Sequence, residues 1–244
     1  MRRGDGRAPD ELRPLVLTLD FTENPLASVL CALGRTKVLC TVTAEETVPR
    51  FLHGTGRGWV TAEYSLLPGA TDRRAEREAA RGRPSGRTQE IQRLIGRSLR
   101  AVVELGALGE RTFYVDCDVL QADGGTRTAA VIGGYTALAL ALRRLVAGGL
   151  LARLPLREGL AAVSVGLVGG VPLLDLAYEE DARAEVDMNV VATASGRLAE
   201  VQGTGESATF SRAQLDALVD LALRGIAEVS RIQAEALAAA APAP

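Results

Sequence analysis

At 244 residues the chain is long enough for one large domain or two fused halves with a sizeable core. Its 47% apolar and 24% charged residues, with a formal net charge of −2, exclude a disordered chain. Three cysteines, Cys31, Cys40 and Cys117, sit in apolar runs without metal-ligand spacing and argue against a disulfide framework, and one histidine, His53, excludes a His-based metal cluster.

Residues 1–13, "MRRGDGRAPDELR", are polar and marked by Pro and Gly, and a loosely packed arm is expected there. They lack the apolar core of a secretory signal, and no segment is expected to reach membrane-span length, so the cytoplasm is the expected compartment. "RPLVLTLDF" alternates as a strand does, and "NPLASVLCALGRTKVLCTVTAEE" predicts two strands joined at Gly34 and Arg35. His53 follows in "PRFLHGTGRGWVTAEYS", where a structural contact and an RNA-facing surface shared with Trp59 and Tyr64 are the two readings.

The next stretch is strongly basic. Between residues 73 and 100, nine arginines stand against Glu76, Glu78 and Glu90, a local charge of +6 on a chain that totals −2. Gly82, Pro84 and Gly86 argue against continuous helix in its first part. Over 88–105, Ile91, Leu94, Ile95, Leu99, Val102 and Val103 recur at spacings of three and four and predict an amphipathic helix, with Arg93, Arg97 and Arg100 on another face. Those arginines read either as a solvated face or as a contact for a polyanion.

"TFYVDCDVL" predicts a strand ending at Leu120, and "TRTAAVIGGYTALALALRRLVAGG" a helix from Thr126, buried on most of its surface. Gly133 and Gly134 inside it each cost about 1 kcal/mol against alanine, which points to close approach by another backbone. "LAAVSVGLVGGVPLLDLAYEED" predicts a second hairpin ending in acids, and "EVDMNVVATASGRLAEVQGTG" further strands turning at Ser195 and Gly196. A last helix, capped by Ser211, buries Leu215, Leu218, Val219, Ala222 and Ile226, and a flexible tail is expected over 237–244. Strand pairs followed by helices, twice over, predict an α+β fold with mixed sheets packed against helices.

Two segments carry candidate chemistry. In "QADGGTRTAA", Asp123, Gly124 and Gly125 lie between a strand and a helix start, where backbone N–H groups lack partners. An oxyanion fits there, with Thr126 as hydroxyl donor and Arg127 as charged fork. Equally, Asp123 caps the turn and Arg127 neutralises it. In "LAYEEDARAEVDMNV", Asp181 and Asp187 form either a carboxylate pair for a divalent ion or proton transfer, or a solvated acidic loop.

The blocks "TKVLCTV", "VPRFL", "GRGWVTAEYSLLPGA", "GRTQEIQRLIGRSLRA", "LGERTFYVDCDVLQADGGTRTAA", "LAAVSVG", "EVDMNVVAT" and "EVQGTGE" resemble, in this order, the bacterial ribonuclease PH family, from about Arg13 to the final helix. The resemblance implies a single ribonuclease PH-like domain over 1–244, with duplicated βαβ-like halves, assembled as a hexameric ring of three dimers. It implies phosphate-dependent 3′-to-5′ trimming of tRNA precursors, with release of nucleoside diphosphates and reversal as nucleotidyl addition. Inorganic phosphate is then the co-substrate and Mg2+ (or Mn2+) the metal. Matched to the family motifs, Arg87, Gly125, Thr126 and Arg127 would hold the phosphate. Asp181 and Asp187 would be the catalytic and metal-binding pair, and Arg73, Arg74 and Arg77 the RNA-binding loop. Relatives often carry an arginine where this chain has Gly69.

Overall fold

The computed structural model describes residues 3–206 and 208–240, the side chains of Ala79 and Arg81 excepted. Strands β1 (Leu15–Leu19), β2 (Ala27–Leu33), β3 (Thr36–Glu45), β4 (Trp59–Leu66) and β5 (Thr112–Gln121) form one sheet in the order β1-β2-β3-β5-β4. In this sheet β4 runs parallel to β5, and α1 (Gly86–Val102) lies between them in sequence, a βαβ-like crossover. Strands β6 (Leu160–Val168), β7 (Val171–Leu174), β8 (Val186–Thr193) and β9 (Leu198–Gly205) form a second sheet, β7-β6-β8-β9, antiparallel throughout.

The long helices lie between the sheets. Helix α2 (Thr126–Ala147) packs on β2, β3 and β5 of the first sheet and on β6 of the second, while α1 packs on β4 and α4 (Arg212–Ala239) on β6, β7 and β8. One large core results, because the inward faces of both sheets and the helices close on one another, and a small separate cluster forms from Val168, Leu173, Leu176 and Ala184. The short helix α3 (Tyr178–Asp181) lies between β7 and β8.

Local chemistry explains the element ends. Ser85 caps α1, its hydroxyl accepting from the Thr88 N–H, and Ser211 forms a reciprocal capping box with Gln214. Ile91, Leu94, Ile95, Leu99 and Val102 are buried as their spacing requires, whereas Val103 is buried just beyond the helix end. On α4, Leu218, Ala222 and Ile226 are buried and Leu215 and Val219 partly so.

Helix α2 departs from expectation in two ways. Its length and mean hydropathy of 1.4 are those of a membrane-crossing helix, yet 78% of that window is buried inside the protein, so the apolar surface is consumed between the two sheets. Close approach at Gly133 and Gly134 is real, but side chains make it. A Cβ at Gly133 would lie 2.6 Å from Cys40 Sγ and 2.9 Å from Cys31 Cβ, and one at Gly134 3.1 Å from Val115 Cγ1.

The ends are also more ordered than expected. The arm is pinned: Arg3, Leu12 and Arg13 are buried, because the guanidinium groups find carboxylates and carbonyls from the second half of the chain. The expected tail is helix as far as Ala239, with Leu237 buried against the core; residues 241–244 lie outside the described residues, as do Met1 and Arg2.

Helix propensity alone favours Gly133→Ala by about 1 kcal/mol. Collision with Cys40 and Cys31, of a kind that costs about 1–3 kcal/mol, outweighs it, so this variant is expected to show a net loss of up to about 2 kcal/mol in denaturant unfolding. A gain in stability would contradict the packing described.

Candidate active site

Five elements bring the candidate residues to one place. Arg87 and Arg127 are each the second residue of a helix, α1 and α2, so each cation is carried in the first turn at a positive helix end. Thr126 opens α2 after Gly124 and Gly125, which take left-handed φ values of 73° and 65°. A Cβ at Gly124 would stand 2.6 Å from the Leu176 carbonyl, so only glycine allows this loop to lie against the segment before α3.

No side chain caps α2. Asp123 does not serve as its cap, and the Arg127 guanidinium reaches instead to Gln202 Oε1 at 3.3 Å and Glu90 Oε1 at 3.5 Å. The N-terminus of α2 is therefore left without a side-chain cap, and Arg127 pairs with Glu90 and Gln202 rather than with Asp123. Thr36 holds the loop before it from below, accepting from the Asp123 N–H and donating to the Gly124 carbonyl at 2.6 Å.

Opposite stand the acids. Asp181 ends α3 and Asp187 is the second residue of β8, paired across to Gly166 and Thr204. Burial and the neighbouring charge of Asp181 push the Asp187 carboxyl up to about 6, with Glu206 adding to the rise and Arg127 and Arg87 opposing it. Burial likewise raises Asp181, against the pull of Arg127, Arg87 and Arg13. The charges of Arg87 and Arg127 thus lie within electrostatic reach of both Asp181 and Asp187. Asp181 and Asp187 are hard oxygen donors of the kind Mg2+ and Mn2+ take, and their mutual repulsion is what a cation would relieve. Among the described residues no group of three or more His, Cys, Asp or Glu could hold a metal, so such an ion would rest on this pair and retain waters.

The acidic segment is anchored by the arm. Arg3 donates to both oxygens of Glu180, at 2.8 and 2.6 Å, and to the carbonyls of Leu174 and Asp175. Arg13 grips Asp175 through Nε and Nη2, at 2.9 and 2.6 Å, and donates to the Asp123 carbonyl at 2.5 Å. The arm therefore ties the loop before α2 to the segment that carries Asp181.

Arg73, Arg74 and Arg77 are not drawn in. They stand exposed on the loop between β4 and α1, apart from the charges that act on Asp181 and Asp187. His53 is exposed at its ring, which meets the Val48 carbonyl at 2.7 Å, and Tyr64 is not surface-facing but 3% exposed, its hydroxyl donating to Thr126 Oγ1 at 2.9 Å. Sequence reasoning missed Tyr64, Arg13 and Glu206 as neighbours of the site. Alternation in "VTAEYS" marks Tyr64 as inward-facing, but nothing local says what it meets.

Comparison with known proteins decides the family. The ribonuclease PH model described as "3′ exoribonuclease family, domain 1" matches residues 11–143, and its domain 2 matches residues 160–225. The chain belongs to the ribonuclease PH family. Ribonuclease PH of Mycobacterium avium (strain 104) is 61% identical over 237 residues, covering 97% of this chain and 92% of the relative. That of Mycobacterium ulcerans (strain Agy99) is 60% identical over 238 residues, again 97% and 92%. Among solved structures, the Archaeoglobus fulgidus exosome with RNA bound to the active site is similar with a TM-score of 0.80 at 22% identity, over 94% of this chain and 92% of that one. Rice (Oryza sativa) Rrp46 is similar with a TM-score of 0.78 at 19% identity, over 96% and 100%. These likenesses show that the chain shares its fold with the archaeal exosome chain and with rice Rrp46.

The raised pKa of Asp187 has a consequence for stability. Its folded value of about 6 lies above the ordinary 3.8, so its favourable contribution is complete below about pH 4 and is lost as the pH rises through 6. In chelator, Asp187→Asn is expected to stabilise the protein by about 1–2 kcal/mol at about pH 8 and by nothing below about pH 4. Urea titrations at the two pH values check this, and equal stability of variant and parent at the higher pH would contradict it.

Proposed function

We propose that this protein is a phosphorolytic 3′-to-5′ exoribonuclease that trims tRNA precursor 3′ ends, releasing nucleoside diphosphates and running in reverse as nucleotidyl addition. The observation that carries the reading is the uncapped α2 terminus, with Arg87 and Arg127 beside it, facing the Asp181–Asp187 pair. A donor-rich pocket next to a carboxylate pair suits a small free oxyanion better than a second RNA phosphate, and membership of a 3′ exoribonuclease family supplies the substrate class.

Orthophosphate and the phosphodiester it attacks repel each other. Arg87, Arg127 and the Thr126 hydroxyl, with Gly125 allowing close approach, would neutralise and orient the nucleophile. Its oxygen forms a bond to the terminal phosphorus, the bond to the preceding 3′ oxygen breaks, and a nucleoside diphosphate departs. The leaving 3′ oxygen takes up a proton, which Asp187, its carboxyl lifted to about 6 by burial, would give when no cation holds it. Mg2+ or Mn2+, when bound by Asp181 and Asp187, would supply charge neutralisation near the scissile bond. Arg73, Arg74 and Arg77, exposed and outside the chemistry, would meet the RNA backbone.

The proposed assembly is a homo-hexameric ring acting in the cytoplasm. Support for assembly comes from large apolar side chains at the surface, among them Val16, Phe51, Leu150 and Leu198, each more than half exposed. Light scattering at six times the chain mass is the expected result, and a monomer would refute the ring.

A 3′-extended tRNA incubated with protein and Mg2+ is expected to release nucleoside diphosphate only when phosphate is present. Nucleoside monophosphate without phosphate would establish hydrolysis instead. Arg87→Ala should lower phosphorolysis by about 100-fold with the assembly intact, a loss of the size typical for one charged transition-state donor. Equal activity at limiting phosphate would remove Arg87 from the nucleophile site.

Gly69 gives a test of RNA binding by gain. It is exposed and an added Cβ meets nothing within 4 Å, so Gly69→Arg should fold normally. Tighter tRNA binding is expected, with the salt slope steeper by about 1 in log–log terms. An unchanged slope would place the RNA path elsewhere.

A further inference from the structure

The geometry points to Tyr64 as a positioning residue that makes the Thr126 hydroxyl a committed donor to the attacking phosphate. This deepens the proposed function and rests on its assignment of the anion pocket. Tyr64 lies on β4, where Val60, Ala62 and Tyr64 face inward and Glu63 and Ser65 outward, so the period of the strand drives the ring beneath the N-terminus of α2. There it is 3% exposed, and its hydroxyl donates to Thr126 Oγ1 at 2.9 Å.

A threonine hydroxyl has one proton and two lone pairs. Inside a helix the proton commonly returns to a carbonyl of the preceding turn, but Thr126 is the first residue of α2 and has no such turn. Thr128 Oγ1 and the Ala129 N–H already occupy the Gly125 carbonyl. With the tyrosine O–H directed into one Thr126 lone pair, the threonine's own proton is turned away from the protein floor and toward the pocket. Burial raises the Tyr64 phenol above its ordinary value of 10, against the pull of its hydrogen bond with Thr126 and then of Arg87 and Arg127, so the ring keeps its proton near neutral pH. Arg87 and Arg127, the residues that would hold the anion, thus lie within electrostatic reach of the phenol. Without Tyr64, the Thr126 hydroxyl is free to rotate and offer a lone pair to the anion for part of the time.

A test separates this from a packing role. Binding of inorganic phosphate to the full-length assembly is measured by calorimetry for the parent, Tyr64→Phe, Thr126→Val, Thr126→Ser and the Tyr64→Phe, Thr126→Val double variant. KM for phosphate and KM for RNA are measured on the same proteins. Tyr64→Phe removes one atom and is expected to weaken phosphate binding by about threefold to tenfold, with KM for RNA unchanged. In the Thr126→Val background the same change is expected to do nothing further, and Thr126→Ser should restore the effect of Tyr64. Three results would each overturn the assignment: phosphate affinity unchanged in Tyr64→Phe, an equal loss in the Thr126→Val background, or an equal rise in both KM values. A parent that binds phosphate but does not consume it with RNA would sink the proposed function, while the binding cycle would still decide the role of Tyr64.

Discussion

Arg13 and Asp175 form the pair on which the arrangement depends. Both are buried, and Asp175 sits at a φ of 54°, a left-handed conformation uncommon outside glycine. The pair is fully used: the Arg13 backbone N–H and Nε both donate to Asp175 Oδ2, Nη2 donates to Oδ1, and the remaining donor meets the carbonyl of Asp123. Breaking such a pair by removing one partner costs about 3–5 kcal/mol where the other charge is left buried alone, and Arg7, 3.4 Å from Asp175 Oδ2, would compensate in part for the loss of Arg13. What the pair secures is relative position. One side of Arg13 holds the loop that opens α2, and the other holds the segment that leads through Arg3-clamped Glu180 to Asp181.

Around that anchor the site is a balance of charges that no single residue could maintain. Two guanidinium groups at two helix ends would repel each other without the carboxylates, and burial, with the neighbouring charge of Asp181 second to it, raises Asp187 to about 6. Placing opposed pairs within reach of one another lets each remain charged, or nearly so, in a half-buried cleft. Under the proposed function, substrate phosphate and a divalent ion would complete such a balance, one on each side. The chemistry would then lie at the seam between the halves of the chain, with α1, α2 and β4 on one side and α3 and β8 on the other.

Much of this was legible in the residues. Period-2 alternation located the hairpins, and period-3.6 apolar spacing located α1 and α4, because burial on one face leaves a repeat in the sequence. The start of α2 at Thr126 was readable from the glycine pair before it. Packing of residues 3–13 was not, since a buried arginine is written like an exposed one and its partners lie more than 160 residues away. The same limit applied to Tyr64 and Glu206, whose relation to Thr126 and Asp187 exists only after the sheets close. Among the 27 arginines, composition could not say which two meet. Family resemblance supplied Arg87, whereas Arg127 was already readable as a charged fork at the start of α2.

A crystal structure of the assembly grown with orthophosphate tests the central claim most directly. The account predicts a phosphate within hydrogen-bond distance of the Arg87 and Arg127 guanidinium groups and the Thr126 hydroxyl, on the side of the cleft facing Asp181 and Asp187. Phosphate bound elsewhere, with the two guanidinium groups turned apart into solvent, would contradict it.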